Sequence, residues 1–229
     1  MKLAVMQPYL FPYIGYWQLI NAVDYFVIYD DVNFIKKSFI NRNSVLVNNE
    51  SKLITLELFG ASQNKQINEI EVGNNFEKVL KTIELNYKRA PYFESAFPVF
   101  NKVLRNKEKN LAKYIGFSLI NISEYLGIKT KFLYSSNIKK NNDLTAHEKI
   151  LEIAKILKAS HYINPIGGKN IYDKDIFAKK NIDLSFLSPS YIEYKQFNDK
   201  FEPNLSIIDI MMFNNKKEIA SSFLRYELI

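Results

Sequence analysis

Two prolines bracket the turn that follows the first apolar segment of this sequence. The run Lys2–Met6 leads directly into residues 8–12, Pro-Tyr-Leu-Phe-Pro. Proline fixes φ and lacks the N–H donor that a helix interior or a central strand requires, so the chain must turn here and present its aromatic side chains. Apolar residues at helical spacing follow between positions 14 and 20, and a second apolar run, 25–29, ends at Asp30-Asp31. The order predicts a strand, a turn, a helix and a strand.

Such a βαβ unit places its first turn and the residues after its second strand at one edge of a parallel sheet, where doubly wound folds bind ligands. We therefore expect Tyr13, Tyr16, Asp30 and Asp31 to share one crevice. Successive side chains of an extended backbone point to opposite faces, so one aspartate enters the site. We predict that Asp31 is the functional carboxylate and that Asp30 supports it; a solvated strand end is the alternative for both.

The whole pattern predicts one α/β domain over residues 1–229, with a Rossmann-like, mostly parallel sheet, a β-hairpin excursion and a helical insert. Apolar runs separated by helical segments place 131–134 and 183–187 in the parallel core beside the first two strands. The other predicted elements are a hairpin at 44–47 and 53–59, a strand at 66–72, helices within an insert at 75–127 that is divided at Ala90-Pro91, a helix at 144–158, a short strand at 161–164, and closing helices near 205–212 and 217–226.

Composition narrows the possible chemistry. The chain has no cysteine, which excludes disulfides and thiolate catalysis, and its two histidines are too few for a histidine-rich zinc site. No run reaches the roughly 18 to 20 apolar residues of a membrane span, and the N-terminus is a core strand rather than a signal peptide, so we expect a cytoplasmic protein. The net charge of +7 fits either an anionic partner or a lysine and asparagine bias without function. The sequence identifies no cofactor.

Several polar side chains have both a functional and a purely structural interpretation. His147 shares an apolar helical stripe with Ile150 and Ala154, and it is either a satisfied core histidine or a catalytic base. Gly167-Gly168-Lys169 resembles a fragment of a phosphate-binding loop, although a plain turn also explains it. Arg42 either binds a phosphate or carboxylate group or is a surface arginine.

Two further groups of residues also have both a functional and a structural interpretation. Tyr87, Lys88 and Tyr92 around Pro91 form either an aromatic and cationic rim or a packing turn between helices. Ser206 and Asp209 have the spacing of a capping box, and a pair of polar site residues is the alternative.

Six segments resemble the WbqC-like family: QPYLFPYIGY, DYFVIYDDVNF, NRN, YKRAPYF, the GG-K-Y segment and FEPNLSIID. The resemblance runs nearly from end to end. That family occurs in bacterial gene clusters for O-antigen and other surface glycans, which implies a role in making an activated sugar precursor. Asn33 stands where the family usually has glutamine. The matching positions are Gln7, Pro8, Tyr9, Phe11, Pro12, Gly15, Tyr16, Asp24, Asp30, Asp31, Asn41, Arg42, Asn43, Tyr87, Pro91, Tyr92, Gly168, Tyr172, Tyr194, Gln196, Ser206 and Asp209.

A looser resemblance concerns residues 13–16, Tyr-Ile-Gly-Tyr. They occupy the place where nucleotidyltransferase-like enzymes such as pantothenate synthetase carry HxGH, a motif that holds ATP phosphates. Tyrosine can donate a hydrogen bond to an anion but lacks the positive charge of histidine, which argues against adenylate chemistry.

The first functional hypothesis is an enzyme that transfers an acyl or aminoacyl group to the amine of a nucleotide-linked amino sugar. Arg42 and the Gly167-Gly168 turn would hold phosphate, and Asp31 or His147 would take the amine proton. Stacking on a base or sugar is assigned to Tyr9, Phe11 or Trp17. A nucleic-acid or carrier-binding module and a non-catalytic scaffold of a glycan-assembly complex are the alternatives, and the acidic crevice counts against nucleic acid.

Overall fold

The computed structural model describes residues 1–229, apart from the side chain of Ala146. The strands are β1 (Lys2–Met6), β2 (Tyr25–Ile28), β3 (Arg42–Val47), β4 (Glu50–Thr55), β5 (Leu58–Phe59), β6 (Glu71–Val72), β7 (Lys131–Tyr134), β8 (His161–Pro165), β9 (Asp183–Pro189) and β10 (Tyr226–Leu228). The helices are α1 (Ile14–Ala22), α2 (Phe76–Tyr87), α3 (Phe93–Leu104), α4 (Leu111–Leu126), α5 (Ala146–Ile156), α6 (Lys174–Ala178), α7 (Ile207–Phe213) and α8 (Lys216–Glu218).

Six strands form the central sheet in the order β10-β9-β8-β1-β2-β7, and all neighbours are parallel except β10 on β9. Leu3 of β1 pairs with Tyr25 on one side and with Tyr162 on the other. The chain builds outward from β1 to β2 and β7 and later fills the opposite side with β8 and β9. The direction of winding therefore reverses between β1 and β8, as in a doubly wound fold, and the predicted Rossmann-like α/β class is confirmed.

Two apolar layers cover the sheet. One face carries Phe26 and Ile28 and packs against α1 and the helices α2 to α4, with Trp17 fully buried in that layer. The other face carries Val5 and Val27 and packs against α5 and α6. Strands buried on both faces need apolar residues at consecutive positions, which explains the unbroken apolar runs of β1 and β2.

The hairpin β3–β4 closes at Asn48-Asn49, whose φ values of 53° and 63° give the left-handed pair that a tight two-residue turn requires. This tight turn starts the second strand at Glu50, earlier than the predicted 53. Leu58–Phe59, expected to continue that strand, pairs with Glu71–Val72 instead. Three residues of the predicted strand 66–72, Ile67–Glu69, form a 3₁₀ turn instead, and the side chains of Gln66 and Glu69 form its capping box. Only Glu71–Val72 is a strand.

The chain end differs from the prediction. The expected helix at 217–226 is only the short α8, followed by a π-helical turn, Ile219–Phe223, and then β10. Leu228 of β10 pairs with Leu187 of β9. The edge of β9 offers unpaired backbone groups, and satisfying them in the sheet outweighs the local helical pattern. Helix α6 was also not predicted from the sequence.

Candidate functional site

The carboxyl ends of three neighbouring parallel strands bring polar residues to one edge of the sheet. Gln7 follows β1, Asp30-Asp31 follow β2, and Gly167-Gly168 follow β8. The Tyr29 N–H donates to the Met6 carbonyl at 2.8 Å, which extends the pairing of β1 and β2 beyond Ile28. These residues therefore lie around the point between β1 and β8 where the winding reverses, the usual ligand position in such folds.

The two aspartates diverge to opposite faces, as strand geometry predicts. Asp30 is 3% exposed, and its carboxylate accepts the Ser136 N–H at 2.9 Å and the Ser136 hydroxyl at 2.7 Å. The Asp30 carbonyl accepts the Asn68 N–H at 3.0 Å. Asp30 thus ties together the segments after β2 and β7.

Asp31 forms a buried ion pair with Lys140, whose side chain is 2% exposed while that of Asp31 is 12% exposed. The Lys140 ammonium group also donates to the Ser135 carbonyl at 2.6 Å. The second carboxylate oxygen, Asp31 Oδ1, is buried, and no described atom donates a hydrogen bond to it. A buried acceptor without a donor is costly, and a ligand N–H or O–H that reached this oxygen would satisfy it.

Tyr29 lies beside this carboxylate, and Tyr172 lies near Tyr29. Burial, Asp31 and then Tyr172 raise the pKa of Tyr29 to about 12, so its hydroxyl stays protonated at physiological pH. The Tyr172 ring lies 6.0 Å from the Tyr162 ring. The Tyr162 hydroxyl donates to Asn164 Oδ1 at 3.2 Å. We call the group formed by Tyr29, Asp31, Lys140 and Tyr172 the Asp31 cluster.

The Gly167-Gly168 turn adjoins the Asp31 cluster through Tyr172. The Tyr172 N–H donates to the Gly168 carbonyl at 3.2 Å. A Cβ at Gly168 would overlap Asn164 Nδ2, whereas one at Gly167 would meet open space. Gly168 is therefore needed for close packing at the end of β8, and a phosphate-binding role of the turn stays a prediction.

Long-range hydrogen bonds hold the opening turn in a strained conformation. Phe11 has φ 45°, and its carbonyl accepts Asn43 Nδ2 at 2.9 Å and the Ser206 hydroxyl at 2.7 Å. Asn43 Nδ2 also donates to the Leu10 carbonyl at 3.0 Å. Ser206 caps α7 as well, since its hydroxyl accepts the Ile208 N–H. Asn43 and Ser206 therefore form a clamp on the turn.

Two of the aromatic side chains expected to stack on a ligand are buried instead. Phe11 and Trp17 are both 0% exposed. Phe11 packs edge to face on Phe100 at 5.5 Å, and the Trp17 indole donates to the Pro12 carbonyl at 2.9 Å. The expectation that these rings contact a base or sugar is wrong, because both are packed inside the apolar core.

Tyr9 and Tyr13 remain accessible. They line a cavity of about 100 Å³ together with Phe39 and Asn43. Tyr13 is 37% exposed, whereas Tyr16 is buried and its hydroxyl donates to the Gln7 carbonyl at 2.7 Å. Tyr16 thus fixes the residue that follows β1 rather than facing solvent.

Arg42 holds the loop that follows β2. Its Nε donates to the Ser38 carbonyl at 3.1 Å, and its Nη2 donates to the Lys37 carbonyl. The same loop reaches the opening turn, since the Leu10 N–H lies 3.2 Å from the Phe39 carbonyl. Arg42 therefore lies near the opening turn, and two of its N–H donors already bond to backbone carbonyls. Phosphate binding by Arg42 stays a prediction.

His147 is exposed in the first turn of α5, and its Nδ1 lies 3.5 Å from the Thr145 hydroxyl. The expectation that it lies on the buried face of this helix is wrong: burial begins one turn later, at Ile150. The capping box of Thr145 and Glu148 is present at this helix start. A catalytic role of His147 stays a prediction.

Tyr87 and Asp209 lie in the core, in a buried hydrogen-bond network. Asp209 is 0% exposed and accepts the Tyr87 hydroxyl at 2.8 Å, the Tyr194 hydroxyl at 2.6 Å and Gln196 Nε2 at 2.7 Å. Burial raises the pKa of Asp209 to about 6 despite these three donors. The Tyr87 hydroxyl also accepts the Leu46 N–H at 2.8 Å. The network joins the hairpin, the insert and the C-terminal segment.

Lys88 and Tyr92 lie at the turn between α2 and α3. Lys88 is exposed, and the Tyr92 N–H donates to the Met212 carbonyl at 3.0 Å. Both residues are consistent with a packing turn against α7.

The sequence reasoning missed a cavity of about 540 Å³ on the Asp30 face of the sheet. It is lined by Asp30, Asn68, Glu108, Lys113, Tyr134 and Asn137, among others. One signal was available: Asn106, Glu108 and Asn110 alternate immediately before α4. Only Asp30 of this set was a predicted site residue.

Comparison with known proteins gives a family match over most of the chain. The model of the WbqC-like protein family matches residues 7–221. The chain is 27% identical to the uncharacterized protein Rv1507c of Mycobacterium tuberculosis over 230 residues, 98% of each chain. No solved structure matches it. Among the described residues, no helix has the length and apolar character needed to cross a membrane.

Proposed function

Because the chain belongs to the WbqC-like protein family, we propose that it is an enzyme of bacterial surface-glycan precursor synthesis. Its reaction is the transfer of an acyl or aminoacyl group to the amine of a nucleotide-linked amino sugar. The single observation that carries this proposal is the Asp31 carboxylate: one oxygen is paired with buried Lys140, and the other, Oδ1, is buried without a hydrogen-bond donor among the described atoms.

The chemistry of amide formation suits this carboxylate. The amine nitrogen attacks the carbonyl of an activated acyl donor, a C–N bond forms, and the bond from the carbonyl to the donor's leaving group breaks. The amine nitrogen must lose a proton as the amide forms, and Asp31 Oδ1 accepts that proton. Lys140 holds the other oxygen and fixes the orientation of the carboxylate. The Tyr29 hydroxyl, whose pKa of about 12 keeps it protonated, is a neutral neighbour.

The position of Asp31 supports binding of a nucleotide-linked substrate. It follows β2 at the carboxyl edge of a doubly wound sheet, beside the reversal between β1 and β8. The Gly167-Gly168 turn lies at the same edge, and Arg42 lies near the opening turn; both are assigned to the diphosphate. Tyr9 and Tyr13, which line the cavity of about 100 Å³, are assigned to the base or sugar.

Two variants separate the role of Asp31 in the reaction from its effect on folding stability. Asp31→Asn alone leaves the Lys140 ammonium group buried and unpaired, a change that typically costs about 3 to 5 kcal/mol. Asp31→Asn combined with Lys140→Gln removes both charges and keeps polar side chains of similar size. We expect the double variant to fold and to lose amide formation with a panel of nucleoside diphosphate amino hexoses and acyl donors, measured by mass spectrometry.

Asp30→Asn is the matched control. It keeps one carbonyl oxygen for Ser136, so we expect a less stable protein that still forms the amide once it is folded. Full activity of the double Asp31 and Lys140 variant would refute the assignment.

Thermal-shift titration adds a second test: stabilisation by RNA, with no response to any nucleotide sugar, would favour the nucleic-acid-binding alternative.

A further inference from the structure

The cavity on the Asp30 face is large enough for a ligand of its own. Its volume of about 540 Å³ falls in the range of small-molecule sites and exceeds what an inorganic ion needs. It lies between the segments after β2 and β7, the 3₁₀ turn Ile67–Glu69 and the first half of α4. The Asp31 cluster is on the opposite face of the sheet, so the two sites are separate.

Polar groups without protein partners point into this cavity. Among the described residues, no hydrogen bond or ion pair is found for the Tyr134 hydroxyl, the Asn137 amide or the Lys113 ammonium group. Glu108 uses one carboxylate oxygen on the Asn110 N–H at 2.9 Å and leaves the other unpaired. The lining therefore offers both donors and acceptors, as a ligand with several hydroxyl groups requires, because each hydroxyl donates and accepts.

The position of Tyr134 depends on a glycine inside a helix. A Cβ at Gly116 of α4 would overlap the Tyr134 hydroxyl. Glycine lowers the stability of a helix interior, so this close approach is maintained at a cost. Burial, with smaller effects from Asp30 and Glu108, raises the pKa of Tyr134 to about 12, and its hydroxyl is therefore a neutral donor at physiological pH.

Apolar rings and balanced charge complete the lining. Phe117 and Tyr134 supply ring surfaces for the C–H faces of a pyranose. Lys113 offsets part of the charge of Glu108, and the oxygens of Asp30 are already bonded to Ser136. We infer that this cavity binds a saccharide of one or two rings, neutral or carrying an amine. The inference goes beyond the proposed function and does not depend on transfer at Asp31.

The test is binding of free hexoses, hexosamines and N-acetylhexosamines to the full chain, measured by saturation-transfer NMR and titration calorimetry. Tyr134→Phe removes only a hydroxyl for which no partner is found in the described part of the chain, and Asn137→Ala removes an exposed amide, so both variants are expected to fold. We expect each variant to weaken saccharide binding by a few-fold to about tenfold, the range for one hydrogen bond. Asn142→Ala, in the same loop, and the exposed Tyr191→Phe are the controls and should bind as the parent does.

Two results would overturn the inference: no saccharide binds at millimolar concentration, or both lining variants bind as well as the parent. The combined Asp31→Asn and Lys140→Gln variant separates the two proposals. It should retain saccharide binding at this cavity even though it loses amide formation, and failure of the transfer reaction would leave the saccharide result unchanged.

Discussion

At the scale of single residues, Asp209 is a carboxyl group placed where a charge is unfavourable. Its three donors, Tyr87, Tyr194 and Gln196, favour the charged form, yet desolvation is the larger effect and raises its pKa from 3.8 to about 6. The folded chain therefore holds this proton over a range of pH in which the unfolded chain has released it. Folding stability must depend on pH in that window.

We expect the free energy of unfolding to fall by about 3 kcal/mol from Asp209 alone as pH rises from 3.8 to about 6, because the folded state binds the extra proton. Below 3.8 this contribution is complete, and above about 6 it is lost. Asp209→Asn resembles the protonated carboxyl group and should lack this slope. Urea denaturation of both proteins across the window measures the difference, and parallel pH profiles would contradict the prediction.

At the scale of elements, the opening turn depends on partners far along the chain. Phe11 keeps φ 45° while its carbonyl accepts hydrogen bonds from Asn43 and Ser206, which lie on β3 and at the start of α7. A left-handed conformation is unfavourable for a residue with a Cβ, so the clamp must offset that strain. The turn, the hairpin and α7 are thereby coupled.

We expect Asn43→Ala and Ser206→Ala each to lower the free energy of unfolding by about 1 to 3 kcal/mol, because each leaves a buried carbonyl with fewer donors. The two effects should be non-additive, since both side chains act on the Phe11 carbonyl. Urea denaturation of the single and double variants measures this coupling. The exposed Ser222→Ala is the control, and losses no larger than that of the control would argue against the clamp.

At the scale of the whole molecule, the helical insert and the sheet share one apolar layer. Ile83 of α2, Phe100 of α3 and Leu119 of α4 belong to the same buried cluster as Trp17 and Phe26. A shared core favours a single cooperative unit over separate domains.

We therefore expect the insert and the sheet to unfold together. Trp17 is the single tryptophan and reports on α1, whereas far-ultraviolet circular dichroism reports mainly on the helices, many of which lie in the insert. The two signals should follow the same urea transition because breaking the shared layer exposes both. Loss of helical signal ahead of the Trp17 fluorescence change would identify the insert as a separate folding unit.

Local rules were sufficient for the backbone of the sheet. Apolar runs identified β1, β2, β7 and β9, and Pro8 with Pro12 located the first turn, because these signals depend only on neighbouring residues. Strand alternation alone also predicted that Asp30 and Asp31 point to opposite faces. The parallel pairing followed from these elements, whereas the strand order and its reversal beside β1 came only from the structure.

Only the tertiary structure decided what each side chain does. The partner of Asp31 is 109 positions away at Lys140, and Tyr87 meets Asp209 across 122 positions. Phe11 is buried because Phe100 of the helical insert packs on it, and β10 is a strand because the edge of β9 was open. The apolar periodicity of a segment predicts the face on which a residue lies. Whether that residue is buried, and what it pairs with, depends on which distant segment packs against that face. That choice is made by the free energy of the whole chain.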